Sequence, residues 1–105
     1  MAAPYNPPVK GEDFVFYIAL ANATDPASFK ANPTIAAGDF KVSKDGGALN
    51  DLGTLPTNEP AGSIWLKVAL SSTEMNADGV AFQAIDQTAT KEWVDFAQVI
   101  LTTSP

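Results

Sequence analysis

Residues 63–86 read SIWLKVALSSTEMNADGVAFQAID, and this stretch places two strand patterns on either side of a single turn. In its first part the apolar side chains alternate with smaller or polar ones, so that one face carries Ile64, Leu66, Val68 and Leu70. A period of two is typical of a half-buried β-strand. The last part, GVAFQAID, has a second strand pattern. The stretch therefore predicts a β-protein.

The link between these two strands carries the signature of a helix start. With Ser71 as the N-cap residue, Glu74 falls at the third helical position and completes a capping box. Leu70 and Met75 then occupy the two positions of a hydrophobic staple. The run NADG that follows stops the helix after about one turn. We therefore predict one short helical turn near residues 72–76.

Three further segments have strand character. Residues 13–21, DFVFYIALA, are apolar on both faces, which predicts a strand covered on both sides, with a partner chain as one candidate cover. A strand through Phe40 and Val42 leads into a glycine turn at residues 45–47. Residues 92–103 predict the last strand, joined to the preceding one through the polar QTATK. The segment from Asn22 to Gly38 is predicted to be mostly loop, with a short strand near Ile35.

Length and composition predict one domain with a packed core. The chain has 105 residues, of which 46% are hydrophobic and 17% charged. There is no cysteine, so a disulfide framework is excluded and stability must come from packing. The N-terminus, MAAPYNPPVKGED, has no apolar core of a signal peptide and contains three prolines. We divide the chain into an extended arm, residues 1–11, and a single β-sandwich domain, residues 12–105.

The charge pattern argues against nucleic-acid and membrane partners. Six basic and twelve acidic residues give a net charge of −6, which repels polyanions. The lysines are scattered and the chain has no arginine to read guanine. No apolar run approaches the roughly 20 residues needed to cross a bilayer.

The chemistry of the side chains argues against an enzyme. Histidine and cysteine are both absent, which removes the commonest general base and the usual zinc ligands. Several acidic or amide side chains fall in turns, but the calcium-loop spacing with its terminal glutamate does not occur; they are Asp45, Asp51, Asn76, Asp78 and Asp86. We assign them turn and cap roles, and we predict no catalytic residue, no metal and no cofactor.

Two tryptophans are candidate contact residues. Trp65 falls on the polar-facing side of its strand, and Trp93 is placed on the last strand together with Asp95 and Gln98. Such residues pack in a core or in a subunit interface, where aromatic side chains are enriched. The alternative is a platform on which sugar rings stack.

The arm offers a second set of candidate contacts. Tyr5 lies among prolines, with Pro7 and Pro8 directly after it in APYNPPVKG. Because proline restricts the unfolded chain, ordering such a segment along a neighbouring subunit costs little entropy. The alternative is a frayed terminus. We interpret Tyr5, Pro7, Pro8, Trp65 and Trp93 as the candidate interface.

The turn near residues 72–76 resembles the connection between the fifth and sixth strands of immunoglobulin-type domains. There an aromatic residue follows the turn, two positions before a cysteine. Here Phe82 takes the aromatic position and Ala84 the cysteine position, so neither a tyrosine corner nor the disulfide is available. The resemblance implies an immunoglobulin-like antiparallel β-sandwich of six or seven strands, and it carries no implication of an immune role.

Residues 39–103 resemble a small β-module of tailed-bacteriophage and prophage virion proteins. The shared features are the hairpin in KVSKDGGALNDLGTLP, the strand and turn of GSIWLKVALSSTEMNADGVAFQAID, and the closing VILTT. The resemblance implies a non-enzymatic virion protein, located on the virion after assembly in the host cytoplasm. Its site would be capsid decoration, a head fibre, or a neck or tail adaptor. Its partners would be other virion proteins and copies of itself.

Two alternatives stay open at this point. A carbohydrate-binding module would help the particle adhere to host glycans. An accessory domain of a hydrolase would need a catalytic partner chain.

Overall fold

The computed structural model describes residues 7–105, which form two antiparallel β-sheets. One sheet has three strands in the order β1-β5-β4, and the other has four in the order β3-β2-β6-β7. The prediction of an all-β sandwich is confirmed. The strands are β1 (Phe14–Ala19), β2 (Phe40–Lys44), β3 (Asn50–Asp51), β4 (Thr57–Asn58), β5 (Trp65–Leu70), β6 (Gly79–Ala84) and β7 (Phe96–Leu101).

The strand order is that of an immunoglobulin-type sandwich. The neighbours β1, β5 and β4 correspond to strands B, E and D of that fold, and β2, β6 and β7 correspond to C, F and G. Strand β3 adds to the free side of β2, as the extra strand of variable-type domains does. Val9 adds a single parallel bridge to Thr103, just beyond β7.

The core lies between the two sheets and is rich in aromatic side chains. Phe16 from one sheet meets Phe82 from the other edge-on, with ring centroids 5.4 Å apart. Phe40 stacks on both Phe82 and Trp93, at 6.4 Å and 5.7 Å. The alternation predicted for β5 is confirmed, because its inward side chains are buried and Trp65 is exposed. The buried apolar residues are Ile18, Leu20, Phe40, Val42, Leu52, Leu66, Val68, Leu70, Met75, Ala77, Val80, Phe82, Ala84, Trp93 and Ile100.

The predicted turn forms between β5 and β6. The Ser71 amide donates to Glu74 Oε1 at 2.8 Å, and the Glu74 amide donates to Ser71 Oγ at 3.2 Å, which are the two bonds of a capping box. The Met75 amide closes one helical turn on the Ser71 carbonyl at 2.9 Å. Leu70 and Met75 are both fully buried. The turn therefore anchors the crossing from one sheet to the other in the core.

We expect Ser71→Ala to lower the free energy of unfolding by about 1 kcal/mol, because it removes the N-cap acceptor of Glu74. Ser72→Ala is the matched control, since Ser72 is an exposed neighbour in the same turn. Urea unfolding followed by tryptophan fluorescence measures both. Equal midpoints for the two variants would show that the capping box contributes nothing to stability.

Three sequence predictions need correction. The strand predicted near Ile35 is not formed; instead Ala21 bridges Phe29, and Asn22 bridges Trp93. The second face of β1 is not covered within residues 7–105, because Tyr17 is exposed. The last strand begins at Phe96 rather than at residue 92, so the loop before it spans residues 85–95 and is longer than the predicted QTATK.

The long loop before β7 is shaped by a buried carboxylate. Asp86 accepts hydrogen bonds from the Thr88 amide at 3.0 Å, the Thr88 hydroxyl at 2.7 Å and the Glu92 amide at 2.8 Å. These bonds fold the chain back on itself, so it cannot remain extended from residue 92. Trp93 is thereby turned into the core.

Candidate interaction surfaces

Three exposed aromatic side chains share the outer face of the three-stranded sheet. Tyr17 points outward from β1, and the next outward positions are Ala19 and Ala21. Ala19 pairs with Trp65, and Ala21 pairs with Phe29. Because cross-strand partners point to the same face, all three rings lie on this surface. Tyr17 is 51% exposed, Phe29 56% and Trp65 46%. We call Tyr17, Phe29 and Trp65 the aromatic face.

The backbone that carries Trp65 is fixed by a hydrogen-bonded turn. The Asn58 side-chain amide donates to the carbonyls of Ser63, at 2.8 Å, and Trp65, at 2.9 Å, while its oxygen accepts from the Gly62 amide at 2.6 Å. The Asn32 amide donates to the same Ser63 carbonyl at 2.9 Å, which ties the loop of the third aromatic residue to this turn. The aromatic face is therefore built on a constrained framework.

The aromatic face carries little charge. Four cross-strand pairs, 15↔69, 17↔67, 19↔65 and 21↔29, supply eight outward residues, and Lys67 is the only charged one among them. The ion pairs among residues 7–105 join Lys10 to Asp78, Lys41 to Asp51 and Lys91 to Asp95, so none involves Lys67. In a chain with twelve acidic residues, this surface is free of them.

A second exposed apolar surface lies along the last strand. Ala97, Val99 and Leu101 point to the outer face of the four-stranded sheet, and Val99 and Leu101 are 63% and 73% exposed. Among residues 7–105, no strand pairs with β7 on the side opposite β6. Beside it lies a shallow depression lined by Ala81, Phe82, Gln83, Ala97, Gln98 and Val99. We call Ala97, Val99 and Leu101 the β7 edge.

The structure places the two candidate tryptophans in different environments. Trp65 is exposed, as its position on β5 predicts. Trp93 is 0% exposed, stacks on Phe40 and donates its Nε1 hydrogen to the Ala84 carbonyl at 3.0 Å. Of the core and interface roles considered for it, the core role is the one observed within the chain. Trp93 therefore offers no ring to a surface platform with Asp95 and Gln98.

The candidate residues of the arm are only partly described. Tyr5 lies outside the described residues. Pro7 is exposed, and the Pro8 carbonyl accepts from the Thr103 amide at 2.9 Å. The Lys10 amide donates to the Thr103 carbonyl, and the Gly11 amide donates to the Met75 carbonyl, both at 3.0 Å. Residues 8–11, which the sequence assigned to the arm, are thus hydrogen-bonded to their own domain.

Two carboxylates considered as cation ligands have structural roles. Asp45, at a positive-φ turn position, accepts from the amides of Gly79 at 2.9 Å and Asp78 at 3.3 Å, and these bonds hold its pKa below the usual value. For Asp86, burial raises the pKa, but the hydrogen bonds from Glu92 and Thr88 outweigh it and lower the pKa overall. Among residues 7–105, no group of three or more His, Cys, Asp and Glu side chains is placed to hold a metal ion. In the same range, no helix is long and apolar enough to span a bilayer.

Comparisons with protein-family models, with curated proteins and with solved structures found no match for this chain. The resemblance to a tailed-phage module therefore stays a prediction.

Proposed function

We propose that this protein is a non-enzymatic structural component of a tailed-phage virion and acts through protein–protein contacts. Capsid decoration, a head fibre, and a neck or tail adaptor are the candidate sites. The observation that carries the proposal is the aromatic face, which a folded and internally hydrogen-bonded sandwich leaves unpartnered among the residues described.

The composition of the aromatic face fits a protein partner. Tyrosine, tryptophan and phenylalanine are enriched at protein interfaces, and charged residues are depleted from the interface core. Aromatic side chains bury a large area and have few rotatable bonds, so they lose little entropy on binding. Lys67 adds one positive charge beside Tyr17, for which a carboxylate of the partner is the complement.

Immunogold electron microscopy of particles from the source tests the location directly. Label on the capsid supports decoration or a head fibre, and label at the neck or tail supports an adaptor. Particles without any label would overturn the virion proposal.

Substitution of the aromatic face tests the mechanism. We expect the triple variant Tyr17→Ala, Phe29→Ala, Trp65→Ala to reduce incorporation into particles by at least about tenfold, because loss of such anchors commonly costs more than 1.4 kcal/mol of binding. The matched control truncates three other exposed apolar side chains, Leu49, Leu55 and Val94, to alanine. Similar incorporation of the two variants, at equal thermal stability, would exclude the aromatic face as the contact surface.

A carbohydrate-binding module for host adhesion is the second candidate. The exposure of Trp65 favours it, because exposed aromatic rings also stack on sugars. Titration with host polysaccharide should then quench tryptophan fluorescence, and Trp65→Phe should abolish the response while the buried Trp93 keeps emitting. Unchanged fluorescence of the wild-type protein would count against sugar binding and leave the protein-contact proposal standing.

A further inference from the structure

The backbone of the β7 edge is available for pairing. The Thr102 amide donates to the Asp78 carbonyl, toward β6, whereas the Thr103 amide donates to the Pro8 carbonyl on the far side. Backbone groups of successive residues in a strand point to opposite sides, so the groups of Ala97, Val99 and Leu101 face the same way as those of Thr103. Thr103 shows that this side accepts a strand.

The β7 edge lacks the features that usually protect an edge strand. Natural proteins block such edges with charged residues, proline or bulges. Strand β7, FAQVIL, contains no charged residue and no proline, and its register with β6 is continuous from Phe96 to Leu101. Its outward side chains include the two most exposed large apolar residues of those described, Val99 and Leu101.

The position of the neighbouring residues limits the pairing to one arrangement. Thr103 is already bonded to Pro8 and Lys10, so only Ala97, Val99 and Leu101 have unpaired groups on this side among the residues described. Antiparallel pairing of two copies uses all three on each chain only when Val99 lies opposite itself. Leu101 then faces Ala97 of the other copy, a large residue against a small one. A shift of the centre by one residue brings Asp95 opposite Leu101 or collides with the bonds of Thr103.

We propose that the β7 edge binds the β7 edge of a second copy of this chain, in antiparallel register about a twofold axis at Val99. The two four-stranded sheets join into one eight-stranded sheet, and the interface is isologous. A copy suits this edge because β7 carries no charge, so like charges are not brought face to face there. The inference concerns the isolated protein and does not depend on the proposed function.

The contact is small, so the dimer should be weak. Three pairing residues on each chain bury less than the roughly 1,200 Å² of a typical stable interface. The net charge of −6 on each copy also opposes association at long range. Sedimentation velocity should therefore show a concentration-dependent monomer–dimer equilibrium that shifts toward dimer when salt screens this repulsion. A monomer at all concentrations and salt levels would overturn the proposal.

Disulfide trapping tests the register, because the chain has no cysteine of its own. Val99→Cys should cross-link to itself, since hydrogen-bonded antiparallel partners have Cα atoms about 5.5 Å apart, within disulfide range. Ala97→Cys alone should not, because the two copies of residue 97 would lie about 14 Å apart. A mixture of Ala97→Cys and Leu101→Cys should give the heterodimer.

Ala81→Cys is the matched control for random collision. Residue 81 is exposed on the same outer face but one strand further in, so it should stay reduced under the same oxidation. Equal cross-linking of Ala81→Cys and Val99→Cys would show non-specific contact and overturn the proposal. Cross-linking of Val99→Cys only after removal of residues 1–6 would assign the edge to the chain's own N-terminus, which also overturns it.

Discussion

Trp93→Ala is expected to lower the free energy of unfolding by about 4 kcal/mol, the largest loss for any single truncation considered in this protein. The indole is fully buried between the sheets and stacks on Phe40. Its removal leaves a cavity and also leaves the Ala84 carbonyl without its 3.0 Å donor. Because a domain of this size is stabilised by only about 5–15 kcal/mol, such a loss takes a large part of the total.

Two controls separate the contributions of Trp93. Trp93→Phe keeps an aromatic ring but removes the Nε1 donor, so it should cost less than the alanine variant. Trp65→Ala removes the same side chain from the surface and should change stability by no more than about 0.5 kcal/mol. Urea unfolding followed by circular dichroism measures all three, since it does not depend on either tryptophan. A loss at Trp65 as large as that at Trp93 would contradict the burial assigned to the two residues.

The central part of the fold could be predicted because its signals are local. The alternation in β5 depends only on neighbouring residues, and it identified the exposed side of Trp65. The capping box of Ser71 and Glu74 is likewise a relation between residues three apart, and both of its bonds are observed. Such short-range patterns determine conformation before any tertiary contact is considered.

The position of Trp93 could not be predicted in this way. A strand over residues 92–103 gives each residue a face by simple alternation, but the strand starts only at Phe96. The chain before it is bent by the hydrogen bonds of Asp86, and no local pattern specifies which amides that carboxylate binds. Tertiary contacts therefore decided the environment of Trp93.

Phe29 is the functional candidate that the sequence analysis missed. It lies in a segment predicted to be loop, and a single bridge to Ala21 brings it onto the outer face. A signal was present: Asp25-Pro26 is a turn dipeptide midway between the bridged residues, and the Ser28 amide donates to the Asp25 carbonyl at 3.0 Å. The bridge from Val9 to Thr103 had no such signal, because it joins residues from the two ends of the chain.

Asp86→Asn is expected to lower the free energy of unfolding at neutral pH by about 2 kcal/mol. The carboxylate accepts three hydrogen bonds, and an amide in its place turns one acceptor into a donor that faces a backbone N–H or the Thr88 hydroxyl. The loop of residues 85–95 loses its organising group. Asp13→Asn is the matched control, because Asp13 is exposed and neighbours β1 rather than this loop.

The pH dependence of the Asp86 effect identifies the charge as its source. Because hydrogen bonding lowers the folded-state pKa of Asp86, its stabilisation is fully present above the unfolded-state pKa of about 3.9 and is lost as the pH falls through the folded value. The stability difference between wild type and Asp86→Asn should therefore be constant from pH 7 to 5 and shrink below about pH 4. Urea midpoints across this range measure it. A difference that is as large at pH 3 as at pH 7 would mean that the amide disrupts the loop sterically and that the ionised carboxylate is not what holds it.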